Sequence, residues 1–117
     1  MRNVRVLIFD EDIENSVYSL FNHPIVLSPN ITVLTFGHNF NHPISLTKNI
    51  KYMSLSGYYF NQPIVLTKNI KCVIFRRCFN QPIILTSSVI RLTLGYGFKK
   101  PIVLSPSINT LDCKLAQ

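Results

Sequence analysis

The stretch Phe21-Asn22-His23-Pro24-Ile25 decides the fold, because the chain repeats it four times. The other copies are Phe40-Asn41-His42-Pro43-Ile44, Phe60-Asn61-Gln62-Pro63-Ile64, Phe79-Asn80-Gln81-Pro82-Ile83 and the altered Phe98-Lys99-Lys100-Pro101-Ile102. The leading phenylalanines recur at a nearly constant interval along the chain. A fixed period of roughly 20 residues is typical of a solenoid, in which each repeat forms one coil stacked on the last.

A second pattern, recurring between these copies, predicts the strands. An aliphatic residue is followed three positions later by an apolar residue, and two positions after that by another. The instances are Val4/Leu7/Phe9, Ile31/Leu34/Phe36, Ile50/Met53/Leu55, Ile70/Val73/Phe75, Val89/Leu92/Leu94 and Ile108/Leu111/Cys113. The last two members of each set alternate in and out, as in a β-strand. We therefore expect an all-β protein, a single short β-solenoid of five to six coils with a stacked parallel sheet.

The turn residues predict the rest of each coil. Glycine, as at Gly37 or Gly95, favours a turn after the strand. Proline fixes a bend and has no N–H to donate, so the motif proline favours a corner. Ile64 and Leu66 alternate as in a strand, which predicts a second short strand in each coil. A polar turn such as Thr47-Lys48-Asn49 then returns the chain to the sheet.

Length and composition predict one intracellular domain. The 117 residues suit a single domain, and 47% apolar residues suffice for a core. No run of about 18 apolar residues occurs, so no membrane span is expected. The three cysteines, Cys72, Cys78 and Cys113, form no CxxC pair. That spacing favours a reducing, cytoplasmic setting over a disulfide framework or a zinc site.

The formal charge of +7 is unevenly distributed. Four of the five acids lie at Asp10, Glu11, Asp12 and Glu14, whereas residues 15–111 hold nine Lys and Arg residues and no acid. A basic body attracts anionic partners at long range.

We expect residues 1–117 to form a single repeat domain with three parts. Residues 1–20 are predicted to be an N-terminal strand and acidic cap segment, residues 21–113 the repeats, and residues 114–117 a C-terminal tail. Terminal repeats of a solenoid are usually atypical, because an open end exposes the core. No C-terminal cap is evident, so the sequence leaves that end open to self-association.

The Phe-Asn-x-Pro-Ile motif, followed by an aliphatic strand and a Phe-Gly turn, resembles the FNIP repeat family, a relative of the leucine-rich repeats. The resemblance covers residues 21–113. Such repeats occur in proteins of social amoebae and of large DNA viruses that infect amoebae, which implies the host cytoplasm if this chain is viral. The family implies a leucine-rich-repeat-like solenoid that acts as an interaction module.

Some members of the family carry an N-terminal F-box that links a bound target to ubiquitin ligation. The first motif copy already begins at Phe21, which leaves too little chain before it for such a helical domain. The resemblance therefore implies the target-binding part of an adaptor.

The motif asparagines are expected to have a structural role. Asn22, Asn41, Asn61 and Asn80 should stack as an amide ladder that satisfies backbone groups at a tight corner, because buried polar groups must be paired.

The turn after each strand is the predicted partner-binding site. The position two residues before each phenylalanine reads His38, Tyr58, Arg77 and Tyr96, with Tyr59 and Arg76 beside it and Tyr52 and Arg91 on the sheet. Tyrosine and arginine are enriched at binding hot spots. A stack of Tyr58, Arg77 and Tyr96 would also gain cation–π contacts. The alternative is a solvated loop with scattered aromatic residues.

Lysines at equivalent positions predict an alternative, anion-binding site. Lys48 and Lys68, like Lys51 and Lys71, should lie about 5 Å apart in successive coils and repel each other. With Lys99 they favour an anionic partner such as single-stranded nucleic acid, since aromatic residues interleave with the basic ones. A solvated basic face is the simpler alternative, and no recognised nucleic-acid motif accompanies the lysines.

Catalysis is not indicated by the sequence. The clustered acids cannot supply a carboxylate pair on the body, and no Ser/His/Asp spacing or phosphate-binding glycine loop is present. His23 and His42 should stack, with neither an acid nor paired cysteines to complete a metal shell. We therefore expect no enzyme activity, cofactor or metal.

The expected function is a non-enzymatic protein–protein interaction module that displays a rigid repeat surface. A basic binder of anionic partners and a building block that associates through its C-terminal end are the alternatives.

Overall fold

One parallel sheet of six four-residue strands dominates the computed structural model, which describes residues 5–9, 22–37, 39–55 and 59–113. The strands are β1 (Val6–Phe9), β2 (Val33–Phe36), β3 (Tyr52–Leu55), β4 (Cys72–Phe75), β5 (Arg91–Leu94) and β6 (Thr110–Cys113). They lie in chain order across the sheet, and the described residues include no helix. The chain is therefore a β-solenoid. It completes about four turns, which is the number of coils between β2 and β6. The predicted fold class is confirmed.

The strand register places equivalent residues of successive coils above one another. Leu34 pairs with Met53, Met53 with Val73, and Val73 with Leu92. All four side chains are at most 1% exposed. The residues that follow them, such as Thr35 and Thr93, point away from this core. Parallel strands about 4.8 Å apart thus carry two inward and two outward columns of side chains along the sheet.

Stacked phenylalanines fill the interior beside the sheet. Phe40, Phe60, Phe79 and Phe98 are 1–2% exposed, and neighbouring ring centroids lie 6.1 Å apart with planes within 8° of parallel. In two coils the column gains a second ring from the strand, at 3.9 Å between Phe36 and Phe40 and 3.8 Å between Phe75 and Phe79. In β3 and β5 a leucine takes that strand position. Near-parallel offset rings are a favourable arrangement for buried aromatic residues.

We number the coils 1 to 5 by their motif copies and call residues 22–24, 41–43, 61–63, 80–82 and 99–101 the motif corner. Here each asparagine side chain accepts a hydrogen bond from the next coil. The backbone N–H groups of Asn41, Asn61, Asn80 and Lys99 donate to the Oδ1 atoms of Asn22, Asn41, Asn61 and Asn80, over 2.9, 3.0, 2.8 and 2.8 Å.

In coils 2 to 4, the residue after the asparagine reinforces this ladder. Gln62 Nε2 donates to both the backbone oxygen and Oδ1 of Asn41, over 3.2 and 3.1 Å. Gln81 Nε2 binds Asn61 in the same way, over 3.2 Å to each oxygen. In coil 2, His42 Nε2 lies 3.1 Å from the backbone oxygen of Asn22. At the motif corner, therefore, side-chain hydrogen bonds join neighbouring coils, whereas in the sheet backbone hydrogen bonds do so.

The return corner comprises residues 28–30, 47–49, 67–69, 86–88 and 105–107. Thr47 Oγ1 donates to the Ser28 oxygen over 3.2 Å, and Asn49 Nδ2 to the Pro29 oxygen over 2.8 Å. Asn69 Nδ2 repeats the second bond one coil on, to the Lys48 oxygen over 2.9 Å. Both corners thus link neighbouring coils, which fixes the spacing of every outward column.

The second short strand predicted in each coil is wrong. Residues 43–46, 63–66 and 82–85, which we call the outer segments together with 24–27 and 101–104, lie in no strand. Among the described residues no backbone hydrogen bond joins one outer segment to another. Each begins with a proline, which cannot donate. The alternation itself is present, since Ile64 is 7% exposed and Val65 82%.

Three predicted features lie outside the described residues. They are the acidic cap, which falls on residues 10–20, the C-terminal tail 114–117, and Tyr58 with its equivalent His38.

Candidate partner-binding surface

Arg76, Arg77 and Tyr96 lie in the turns that follow β4 and β5. Each turn is closed by a backbone hydrogen bond, from Phe79 N–H to the Arg76 oxygen over 3.0 Å and from Phe98 N–H to the Gly95 oxygen over 3.3 Å. The two turns are in close contact. A Cβ atom on Gly95 would lie 2.8 Å from the carbonyl carbon of Arg76, so a side chain at this position would force them apart.

These turns enclose a hollow of about 260 Å³, which we call the turn hollow. It is lined by Phe75, Arg76, Arg77, Thr93, Leu94, Gly95 and Tyr96. Phe75 and Leu94 are buried, whereas both arginines are exposed and Tyr96 is 49% exposed. The turn hollow therefore has an apolar floor with a cationic and aromatic rim.

A second hollow of about 260 Å³, the sheet hollow, lies on the outward face of the strands. Its lining residues are Tyr52, Cys72, Ile74, Arg91, Leu92, Thr93 and Thr110. Tyr52 pairs with Cys72, Cys72 with Arg91, and Arg91 with Thr110 in the strand register. The solenoid thus places Tyr52 of β3 and Arg91 of β5 on either side of Cys72, although two full coils of chain separate them.

Thr93 lines both hollows, which makes them neighbours. The structure therefore brings together five of the seven residues predicted to bind a partner. We call them the Arg–Tyr surface: Tyr52, Arg76, Arg77, Arg91 and Tyr96. Tyr59 is 55% exposed but lines neither hollow. Tyr58, and with it the predicted cation–π stack, lies outside the described residues.

The sheet hollow holds a thiol with an altered acidity. Burial raises the pKa of Cys72, and the neighbouring Arg91 guanidinium lowers it by a smaller amount. Cys72 and Cys78 are both free thiols, and Cys78 is exposed. Burial therefore favours the protonated thiol of Cys72, which lines the sheet hollow.

The predicted anion-binding lysines divide between the two corners. Lys48 and Lys68 are exposed at the return corner of coils 2 and 3, and Lys51 and Lys71 follow them at the start of the next strands. The backbone supports this pairing, since Lys71 N–H donates to the Lys51 oxygen over 2.8 Å. Lys99 lies at the motif corner of coil 5. The first four therefore form one group, which we call the lysine quartet, and Lys99 belongs to the other corner.

An exposed apolar column was missed by the sequence prediction. The third residue of each outer segment points outward, at 97% exposure for Val26, 82% for Val65, 85% for Ile84 and 86% for Val103. We call these four residues the apolar stripe; Ser45 has the equivalent place in coil 2 and is also exposed. A hollow of about 530 Å³ separates the stripe residues of coils 3 and 4. The sequence signal for this column was the alternation within Pro-Ile-x-Leu, in which the isoleucine and leucine point inward and the residue between them points outward.

Metal ligands are not assembled within the described part of the chain, where no group of three or more His, Cys, Asp and Glu side chains could hold an ion. Over the same residues, no helix has the length and apolar character to cross a membrane.

Comparison with known proteins gives one match. Residues 21–45, which contain the first motif copy, the whole of β2 and the second copy, fit the family model named FNIP Repeat. This stretch is similar to an FNIP repeat. No curated protein and no solved structure matches the chain. The matched FNIP region includes the first ladder bond, from Asn41 N–H to Asn22 Oδ1, and the same bond recurs at 2.8–3.0 Å in the coils that follow.

Proposed function

We propose that this FNIP-repeat solenoid is a non-enzymatic protein-interaction module that binds its partner through the Arg–Tyr surface. The observation that carries the proposal is that the two hollows share Thr93, which sets three arginines and two tyrosines around two adjoining depressions. Large planar side chains with directed polar groups supply most of the binding energy at protein interfaces. The module is the target-binding part of an adaptor, inside the cell.

The module binds through side chains that the rigid scaffold holds in position before the partner arrives. Each rim residue lies in or directly after a strand whose neighbours are fixed by backbone pairing and by the asparagine ladder. Side chains held on such a scaffold lose little conformational freedom when a partner binds, so more of the contact energy appears as affinity.

An acidic protein segment is the partner that fits. Residues 15–111 contain nine Lys and Arg residues and no Asp or Glu, so the coils that carry Arg76, Arg77 and Arg91 have a large excess of positive charge. Arginine binds carboxylates through paired hydrogen bonds, and the apolar floor of the turn hollow accepts a neighbouring aliphatic side chain. Attraction between opposite charges also raises the rate of encounter.

Affinity capture from amoebal lysate tests the proposal. Wild-type protein is compared with Arg76→Ala/Tyr96→Ala and with a control, Lys48→Ala/Lys68→Ala, which removes charge at the opposite corner. We expect the first variant to lose partners that the control retains, and the retained complexes to withstand salt that screens exposed charges. Recovery of the same partners by all three proteins would refute the assignment of this surface.

The lysine quartet supports a second candidate function, binding of an extended polyanion such as single-stranded nucleic acid. Four exposed ammonium groups lie in two consecutive coils, at the spacing of the strands. Titration of a labelled oligothymidine separates the candidates. The second candidate predicts binding that weakens steeply with salt and is lost in Lys48→Ala/Lys68→Ala. Binding that persists in this variant would count against the quartet.

A further inference from the structure

The apolar stripe lies on the face opposite the sheet, away from both surfaces considered above. The outer segments that carry it contain no charged residue in any coil. Val65 and Ile84 remain 82% and 85% exposed, although both belong to closely packed coils. Aliphatic side chains stacked in one exposed column, unlike ones scattered singly over a surface, are typical of an interaction site. We propose that a second copy of this chain covers the stripe in a two-fold symmetric dimer.

Charge argues for a second copy as the occupant. Two molecules that each carry +7 repel one another through every face on which lysine or arginine is exposed. Arg91 faces outward from the sheet, the lysine quartet occupies the return corner, and Lys99 and Lys100 occupy the motif corner. The stripe is the described face on which two copies can meet without opposing charges at the centre of contact. An acidic or basic partner, by contrast, would find no complementary charge there.

The order of side-chain sizes along the stripe specifies the arrangement. Reading from coil 1 to coil 5, the outward residues are Val26, Ser45, Val65, Ile84 and Val103. A two-fold axis along the outer segment of coil 3 sets coil 1 against coil 5 of the second copy and coil 2 against coil 4. Val26 then meets Val103, and Val65 meets its own copy. The smallest residue, Ser45, meets the largest, Ile84.

This pairing gives every level of the interface a similar volume. The alternative two-fold, along the solenoid axis, would set Ile84 against Ile84 and Ser45 against Ser45, which leaves one level overfilled and another empty. Both defects are costly in a close-packed contact. The antiparallel arrangement also lets the Ile84 side chain pack above Ser45 of the other copy.

The size of the face predicts a weak dimer. Five outer segments about 4.8 Å apart, each four residues long at about 3.3 Å per residue, cover roughly 250 Å² per copy. Standard stable interfaces bury about 800 Å² per partner. Association should therefore be detectable only at high protein concentration. It should also strengthen as salt is added, because salt screens the repulsion between the two basic molecules.

Sedimentation equilibrium over a range of protein concentrations tests the dimer with four variants. Ser45→Ile overfills the coil 2–coil 4 level and Ile84→Ser empties it, so each should weaken dimerisation at least about tenfold. The double variant Ser45→Ile/Ile84→Ser restores one large and one small residue at that level and should recover most of the affinity. Ser87→Ile, the same substitution at an exposed return-corner position, should leave the affinity unchanged. All these side chains are exposed, so the variants should fold.

Three outcomes would overturn the inference. The first is a wild-type mass that stays at 13.4 kDa at the highest concentration reached. The second is stronger association of Ser45→Ile, which would indicate non-specific contact between apolar patches. The third is a double variant no better than its parents. Because the dimer and the acidic partner use different faces and are tested with different variants, failure here leaves the proposed function standing, and the reverse also holds.

Discussion

A single asparagine residue connects three coils of this solenoid. Asn61 donates its backbone N–H to Asn41 Oδ1 over 3.0 Å, and its own Oδ1 accepts from Asn80 N–H over 2.8 Å and from Gln81 Nε2 over 3.2 Å. Among the described residues no backbone hydrogen bond joins neighbouring coils at this corner, so the amide oxygen takes the place of the acceptor that a neighbouring strand supplies elsewhere. Its repetition in four motif copies follows from this geometry.

Asn61→Ala should therefore lower the free energy of unfolding by about 1–3 kcal/mol, since it leaves the part-buried Asn80 N–H without its acceptor. Asn61→Asp keeps an acceptor oxygen at the same place and should recover most of the loss. Lys99→Ala is the matched control, because Lys99 contributes its backbone N–H to the ladder and not its side chain. Urea denaturation of the three variants checks this, and equal losses in Asn61→Ala and Lys99→Ala would contradict it.

The pKa of the Cys72 thiol depends on two opposing effects in the sheet hollow, burial and the charge of Arg91. Burial raises its pKa and Arg91 partly offsets the rise. Arg91→Ala removes the cation that favours the thiolate, so the pKa should rise further and alkylation by iodoacetamide at fixed pH should slow. The midpoint of the rate–pH profile should move to higher pH, and Arg91→Lys should restore it.

Peptide mapping separates Cys72 from the exposed Cys78, whose alkylation serves as the internal reference. Faster alkylation of Cys72 in Arg91→Ala would mean that the arginine chiefly shields the thiol from water, and the electrostatic account of the sheet hollow would be wrong.

At the scale of elements, the turns that follow β4 and β5 differ in residue type, whereas the strands all have the same length of four residues. The turn after β5 is Gly95-Tyr96-Gly97, whereas its neighbour after β4 is Arg76-Arg77-Cys78. The glycine turn lies so close beneath the arginine turn that a Cβ on Gly97 would overlap the carbonyl oxygen of Arg77. The two turns can pack this closely because glycine leaves both positions without a side chain.

Gly97→Ala should consequently destabilise the protein by about 1–3 kcal/mol, since a backbone atom, unlike a flexible side chain, cannot move aside cheaply. Tyr96→Ala, between the two glycines, should change the melting temperature little, because Tyr96 is about half exposed, yet it should abolish partner binding. Thermal unfolding of both variants provides the comparison. A Gly97→Ala protein as stable as the wild type would show that the two turns can separate freely.

The sequence predicted the strands and the buried columns because both follow from the repeat period. Once Phe40, Phe60 and Phe79 are aligned, stacking fixes where every equivalent residue lies. The predicted second strand was wrong because alternation reveals which side chains are buried and not whether backbones are bonded. Ile64 is buried and Val65 is exposed, as in a strand, but their outer segment begins with a proline, which has no backbone N–H to donate.

The hollows could not be predicted, because they depend on contacts between coils that no single repeat contains. The approach of Gly95 to Arg76 is one such contact, and the place of Thr93 between two hollows is another. The division of the lysines, by contrast, could have been predicted from the sequence. Lys99 resembles the lysine quartet in charge, but its position in the motif assigns it to the opposite corner.

At the scale of the whole molecule, the place where the asparagine ladder ends affects whether copies of the chain can stack end to end. Asn80 is the last asparagine that accepts from a following coil, because Lys99 has no side-chain carbonyl to offer. Lys100 likewise replaces the glutamine that reaches back to its neighbour in coils 3 and 4. Self-association through the C-terminal end stays a prediction, and Lys99 disfavours it because its side chain offers no acceptor to a coil stacked upon it.

Lys99→Asn/Lys100→Gln should therefore favour end-to-end stacking, because it presents at the terminal coil the same amide that joins every earlier pair of coils. Such stacking is heterologous and does not close, so the weight-average mass should keep rising with concentration past that of a dimer. Lys99→Ala/Lys100→Ala removes the same charges without supplying an amide, and its mass should follow the wild type. If the two variants instead associate equally, charge alone guards this end, and the ladder joins coils only within one chain.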